Sequence, residues 1–241
     1  IYAIRLVSAV FNAFTIFLVY ITAKSIFYNN KRKEKIALFA SFLYALNPLA
    51  IQSSILIDID GGILNFLMML FIYFFIKNKS YWLAPALFLI FWSKETGAVI
   101  LLASFFIFFA FQKRWKDLFK MLLIFLATFV LFLVTFWFYT YTLDLDFSMP
   151  FKHNFSIQDA FSRSPYLTFI KAGWAFKGFF YFAVPFFLLL FLILSFNFYY
   201  KMLKSRGKLN ETDRNLLFLN LFSIISMLLL TYLGASGWGF P

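Results

Sequence analysis

The sequence predicts an all-α integral membrane protein of about eight transmembrane helices, with short amphipathic interfacial helices in one long outer loop. Three observations predict it. Hydrophobic residues fill 63% of the 241 positions and charged residues only 13%, against about 25% charged in ordinary soluble chains. One soluble core has no room for that much apolar surface. The apolar stretches are continuous rather than alternating, which selects helices over a closed barrel. Finally, the basic residues fall in alternate breaks between the apolar runs.

The runs lie at about 5–28, 36–52, 61–76, 81–93, 97–112, 118–141, 178–200 and 215–233. A full crossing takes ~20 residues, so the first, sixth, seventh and eighth are comfortable spans and the middle ones are short. The breaks at 24–35, 77–79, 113–120 and 201–214 hold 16 of the 22 basic residues and 4 of the 10 acidic ones. The other face holds six of each, so the formal charge of +12 sits on one side. Short basic loops face the cytoplasm, and anionic headgroups there account for the charge without a nucleic-acid partner. The expected location is the cell membrane, in a multi-pass arrangement.

The whole chain, 1–241, reads as a single transmembrane domain, without a repeat of fixed period. Residues 142–177 form its long extracytoplasmic loop. Ser156 and Asp159 there have capping-box spacing, and Ile157, Ala160 and Phe161 follow on one helical face. Phe169, Ile170 and Trp174 then oppose Lys171 and Lys177. These segments suit helices lying in the headgroup layer. The absence of cysteine excludes disulfides and thiolate metal sites. The start at Ile1 and the end at Pro241, both beside apolar runs, suggest an internal piece of a longer protein.

Two constellations on the outer face carry chemistry. In Asp58-Ile59-Asp60-Gly61-Gly62, carboxylates at i and i+2 before a flexible glycine pair suit a cation or an acceptor hydroxyl. The same residues also suit a solvated turn in which Asp60 caps the next helix. Lys94-Glu95-Thr96-Gly97 splits the 81–112 run. Two crossings of ~30 Å need ~60 Å of helix, and 32 residues supply only ~48 Å. The charged turn is therefore expected below the outer surface, where ionisable groups are costly and usually face a polar cavity. Lys94 suits a phosphate oxygen as a point charge, or else pairs with Glu95 to tie helices together. Arg5, at the start of the first run, suits an anion or snorkelling at the interface. His153, the only histidine, has no neighbouring ligand set. The aromatic residues suit lipid-facing and interfacial packing.

Several motifs, in order, resemble one family. Arg5-Leu6-Val7-Ser8-Ala9-Val10 opens a long helix; Asn47-Pro48-Leu49, Asp58-x-Asp60-Gly61, Ser93-Lys94-Glu95-Thr96-Gly97 and a closing Gly237-Trp238-Gly239-Phe240-Pro241 follow. Together they resemble the GT-C membrane glycosyltransferases, in the branch containing protein O-mannosyltransferases and lipid A aminoarabinose transferase. The resemblance implies transfer of a sugar from a polyprenyl-phosphate-linked donor to a lipid or protein acceptor on the extracytoplasmic face. It matches Asp58 or Asp60 to a second acidic position near the active site and Lys94 to a family lysine. Asp58 and Asp60 are thus the catalytic candidates and Lys94, with Glu95 and Arg5 at the margin of the same cavity, the substrate-binding ones. The family's principal catalytic acid follows an earlier helix, in a stretch missing from this sequence. The sequence assigns no cofactor and leaves room for a divalent cation, without giving it ligands. The alternative is a transporter or flippase of lipid-linked sugars, whose inverted repeats are not visible here. A third reading is a non-catalytic membrane subunit.

Overall fold

A computed structural model describes residues 2–47, 59–144, 193, 195–196, 198–200 and 209–235. The regular elements among these residues are all helices: α1 Tyr2–Ile26, α2 Lys33–Ala45, α3 Ile59–Ile76, α4 Ser80–Ser93, α5 Glu95–Phe111, α6 Trp115–Thr142 and α7 Glu211–Ala235. The chain divides into two compact units, Ile1–Phe147 and Ser148–Pro241. Of the expected 178–200 run, residues 193, 195–196 and 198–200 are described, and all are helical. The interfacial helices expected within 142–177 fall almost wholly outside the described residues.

The helices follow the apolar runs, with boundaries shifted by end chemistry. α2 stops at Ala45 rather than near residue 52. Asn47 precedes Pro48, and a residue before proline is driven out of the helical region. α7 starts at Glu211 rather than 215 because Asn210 caps it: its Oδ1 accepts from the Asp213 N–H at 2.7 Å. Glu211 and Asp213 in that first turn oppose the helix dipole's positive end. Gly61 and Gly62 are not a flexible link; they lie in the first turn of α3, which begins at Ile59. Asp60 is thus inside the helix instead of at its cap. The 93–97 turn also contracts to a single extended residue, Lys94, with φ −165° and ψ 119°.

In the first unit, the burial pattern of α1 reverses that of a soluble helix. Ser8, Asn12, Thr15 and Thr22 are buried, while Leu6, Val10, Phe14 and Phe17 are exposed. Small and polar residues allow helices to approach closely in lipid, whereas large apolar ones face the acyl chains. On α6, one stripe (Leu118, Met121, Phe125, Thr128 and Phe132) is buried. The opposite side exposes Leu123, Leu126, Val130, Val134 and Phe138. A helix apolar all round belongs in a membrane. Leu6–Ile26 and Trp115–Thr142 are both long and apolar enough to cross one.

Ring contacts set the register. Phe71 meets Phe105 at 5.7 Å and Phe75 meets Phe109 at 6.1 Å, so α3 and α5 run parallel and in step. Phe91 meets Phe132 at 5.5 Å and Trp92 meets Phe136 at 6.1 Å, which pairs α4 and α6 in the same way. Two helical hairpins, α3–α4 and α5–α6, therefore stand side by side. The connections 27–32, 77–79 and 112–114 all fall at the same, basic end, where the last two adjoin each other. There, Lys24 Nζ donates to Glu34 Oε1 at 2.9 Å. That hydrogen bond and charge hold the Glu34 carboxyl below its usual range.

Candidate active site

The end opposite the basic one collects the starts of α1, α3 and α5 and the end of α4. Two glycines account for the convergence. A Cβ added at Gly62 would lie 2.8 Å from the Ser8 carbonyl oxygen and 3.0 Å from its Cα. The backbones of α1 and α3 therefore touch at this level. Phe11 meets Phe66 at 5.2 Å about one turn farther along both helices, so the two helices run parallel. A Cβ at Gly97 would lie 2.8 Å from Leu64 Cδ1, 3.1 Å from Ile90 Cγ2 and 3.4 Å from Met68 Sδ. The start of α5 is thereby wedged between α3 and α4.

These contacts bring the candidate positions to one height. Arg5 is three residues before Ser8, or ~4.5 Å along the helix, and Asp60 is two residues before Gly62, or ~3 Å. Measured from the Leu64–Gly97 contact, Asp60 stands ~6 Å and Lys94 ~4.5 Å toward the same end. Glu95 opens α5 next to Lys94. The backbone positions of Arg5, Asp60, Lys94 and Glu95 therefore fall within about one helical turn. Asp58 and His153 lie outside the described residues.

Lys94 is held by its own backbone. Its N–H donates to the Ile90 carbonyl at 2.8 Å, and its carbonyl accepts from the Gly97 N–H at 3.0 Å. The side chain is half-buried. The turn is also recessed. Trp92 contacts Phe132, Phe136 and Tyr139, while α6 continues to Thr142. At ~1.5 Å per residue, α6 rises ~9 Å beyond the level of Trp92 and ~6 Å beyond that of Lys94. Among the described residues, no three His, Asp or Glu side chains assemble as a metal site.

Sequence reasoning missed the polar seam that descends from this end. The Tyr44 hydroxyl donates to Asn12 Oδ1 at 3.3 Å, and Thr15 Oγ1 donates to the Phe11 carbonyl at 2.8 Å. Ser8, Asn12, Thr15 and Thr22 recur at three-, four- and seven-residue spacing within an apolar run, so their common face was visible in the sequence.

The family model described as dolichyl-phosphate-mannose-protein mannosyltransferase matches residues 1–139. The chain belongs to this family. It is a membrane glycosyltransferase of the mannosyltransferase kind, as its motif order suggested. No curated protein and no solved structure matches the chain. The stretch matched to the mannosyltransferase family covers α1 to α5 and nearly all of α6. It therefore includes Arg5, Asp60, Lys94 and Glu95.

Proposed function

We propose that this mannosyltransferase-family chain transfers a sugar from a polyprenyl-phosphate-linked donor to a lipid or protein acceptor on the extracytoplasmic face. The reaction would take place at the end where α1, α3 and α5 begin. The observation that carries the reading is the common height of Arg5, Asp60, Lys94 and Glu95, with Lys94 in a recessed one-residue break. A hydroxyl oxygen of the acceptor attacks the anomeric carbon, and the bond from that carbon to the phosphate oxygen breaks. The electron pair leaves with the lipid phosphate, which gains negative charge. A fixed ammonium in a dry recess stabilises that charge more strongly than water does. Lys94 is assigned this role, with Arg5 and Glu95 at the margin of the site. Asp58 and Asp60 are assigned to the sugar or the acceptor, and the hydroxyl proton passes to a carboxylate base. Membership of a glycosyltransferase family favours transfer over transport of the same donor.

The test is sugar transfer by the full-length enzyme from a polyprenyl-phosphate donor. Lys94→Ala should lower turnover by roughly 100-fold or more while leaving the helical content intact. Lys94→Arg should recover part of the rate, because a planar guanidinium replaces a compact ammonium. Equal rates for wild type and Lys94→Ala would remove Lys94 from the site.

A further inference from the structure

At the basic end, the α3–α4 and α5–α6 turns are built alike and lie against each other. Phe75 at the end of α3 meets Phe108 and Phe109 at the end of α5, each at 6.1 Å. Lys120 Nζ donates to Ser80 Oγ at 3.4 Å, linking the start of α6 to that of α4. The two turns therefore present Lys77, Lys79, Lys113, Arg114, Lys116 and Lys120 on one surface. The same segments contain one acidic residue, Asp117, which is paired with Arg114 at 2.8 Å.

At the start of α4 the charge arrangement is unfavourable without an anion, because that first turn holds no acidic residue, whereas α6 has Asp117 in its first turn. Lys79 and Arg114 occupy the cap positions of α4 and α6, and neither helix start has a side-chain cap. A lysine or arginine side chain cannot accept a hydrogen bond, and a cation at the positive end of a helix dipole is repelled. Beside these cations, Tyr81, Trp82, Trp115 and Phe119 are exposed, and Lys79 Nζ lies 5.9 Å from the Tyr81 ring centroid. Amphipathic rings next to lysines are characteristic of headgroup depth.

We propose that these two turns together form a docking surface for an anionic phospholipid of the leaflet they meet. The phosphoryl oxygens accept from Lys79, Lys116 and Lys120, while the upper acyl chains lie on Trp82 and Phe119. This goes beyond the general attraction of basic loops to anionic membranes. That attraction treats every basic loop alike, including Lys31–Lys35, whereas this surface is confined to two paired turns.

The test places the full chain in phosphatidylcholine nanodiscs with increasing phosphatidylglycerol and follows the midpoint of thermal unfolding. Phosphatidylglycerol should raise the wild-type midpoint by several degrees. Lys79→Gln/Lys116→Gln/Lys120→Gln should lose most of this shift at every phosphatidylglycerol fraction, since about 1 kcal/mol per lysine is roughly a fivefold weakening each. The corresponding triple Lys→Arg variant should respond like wild type. Lys31→Gln/Lys33→Gln/Lys35→Gln removes as much charge elsewhere and should also keep the response. If the first triple variant melts lower in pure phosphatidylcholine, the single Lys116→Gln and Lys120→Gln variants carry the comparison. An unchanged response in the glutamine variants would overturn the proposal. Equal loss in the Lys31–Lys35 control would do so too, by showing diffuse attraction. A midpoint rise with soluble glycerol phosphate alone would assign the surface to a soluble anion instead.

Discussion

Gly62 and Gly97 show how a single missing side chain positions the candidate site. Alanine is intrinsically better than glycine in a helix by about 1 kcal/mol, so packing alone decides the outcome at each position. At Gly62, the added Cβ meets backbone atoms of Ser8, which cannot move without shifting α1 against α3. At Gly97, the nearest atom is the end of the Leu64 side chain at 2.8 Å, which can change rotamer, while Ile90 Cγ2 at 3.1 Å belongs to a buried β-branched residue with less freedom to move. Gly62→Ala should therefore lower stability by about 1–3 kcal/mol, whereas Gly97→Ala, which meets only side-chain atoms, should cost clearly less. Thermal unfolding in one lipid composition checks the contrast, and equal effects would contradict this account of the helix approach. Both glycines were visible in the sequence beside charged motifs, where they suited flexible turns. Their actual role was not legible, because it depends on which residue of another helix lies opposite. Lys94 was legible for the opposite reason: a charge in the middle of a 32-residue apolar stretch signals a break without reference to any partner.

At the scale of helices and turns, the apolar runs located the elements well, while the ends were set by local hydrogen bonding that hydropathy does not record. The basic-end turns illustrate this. After α3 and α5, the chain closes with the Lys79 N–H on the Phe74 carbonyl and the Arg114 N–H on the Phe109 carbonyl, both at 2.9 Å. This closure puts Asn78 at φ 53° and Lys113 at φ 55°, in the left-handed region where glycine is usual. Asparagine tolerates that region; a lysine with an ordinary Cβ does so at a cost of roughly 1–2 kcal/mol. Lys113→Gly should therefore stabilise the α5–α6 hairpin by about 1 kcal/mol, and Asn78→Gly should change stability by only a few tenths. Denaturation of both variants under identical conditions tests the difference. Destabilisation by Lys113→Gly would mean that side-chain contacts outweigh the backbone strain. The sequence had little to say here, since neither turn carries a glycine to mark its left-handed residue.

For the molecule as a whole, the most legible property was the segregation of charge, because it needs only the order of runs and breaks. In the first unit, the helix order brings the breaks at 24–35, 77–79 and 113–120 to one end, with 11 basic residues and 2 acidic ones. Arg5, Asp60, Lys94 and Glu95 stand at the other. Exposed aromatics mark both levels: Tyr28, Tyr81, Trp82 and Trp115 at the basic end, Trp92, Trp137, Tyr139 and Tyr141 at the other. From Trp115 to Trp137, α6 rises ~33 Å, close to the ~30 Å of a hydrocarbon core. A bilayer drawn between these aromatic levels puts the Lys94 turn at about the far boundary, within reach of a lipid phosphate. Basic connections are retained in the cytoplasm, so charge gives the expected orientation, and the end proposed for sugar transfer would then face outward. This orientation is testable because the chain contains no cysteine. A membrane-impermeant maleimide applied to intact cells should label Asn154→Cys and spare Arg32→Cys, which should react only after the membrane is opened. Labelling of Arg32→Cys in intact cells, with Asn154→Cys protected, would invert the molecule. The converged end would then face the cytoplasm, and an extracytoplasmic acceptor could not reach it.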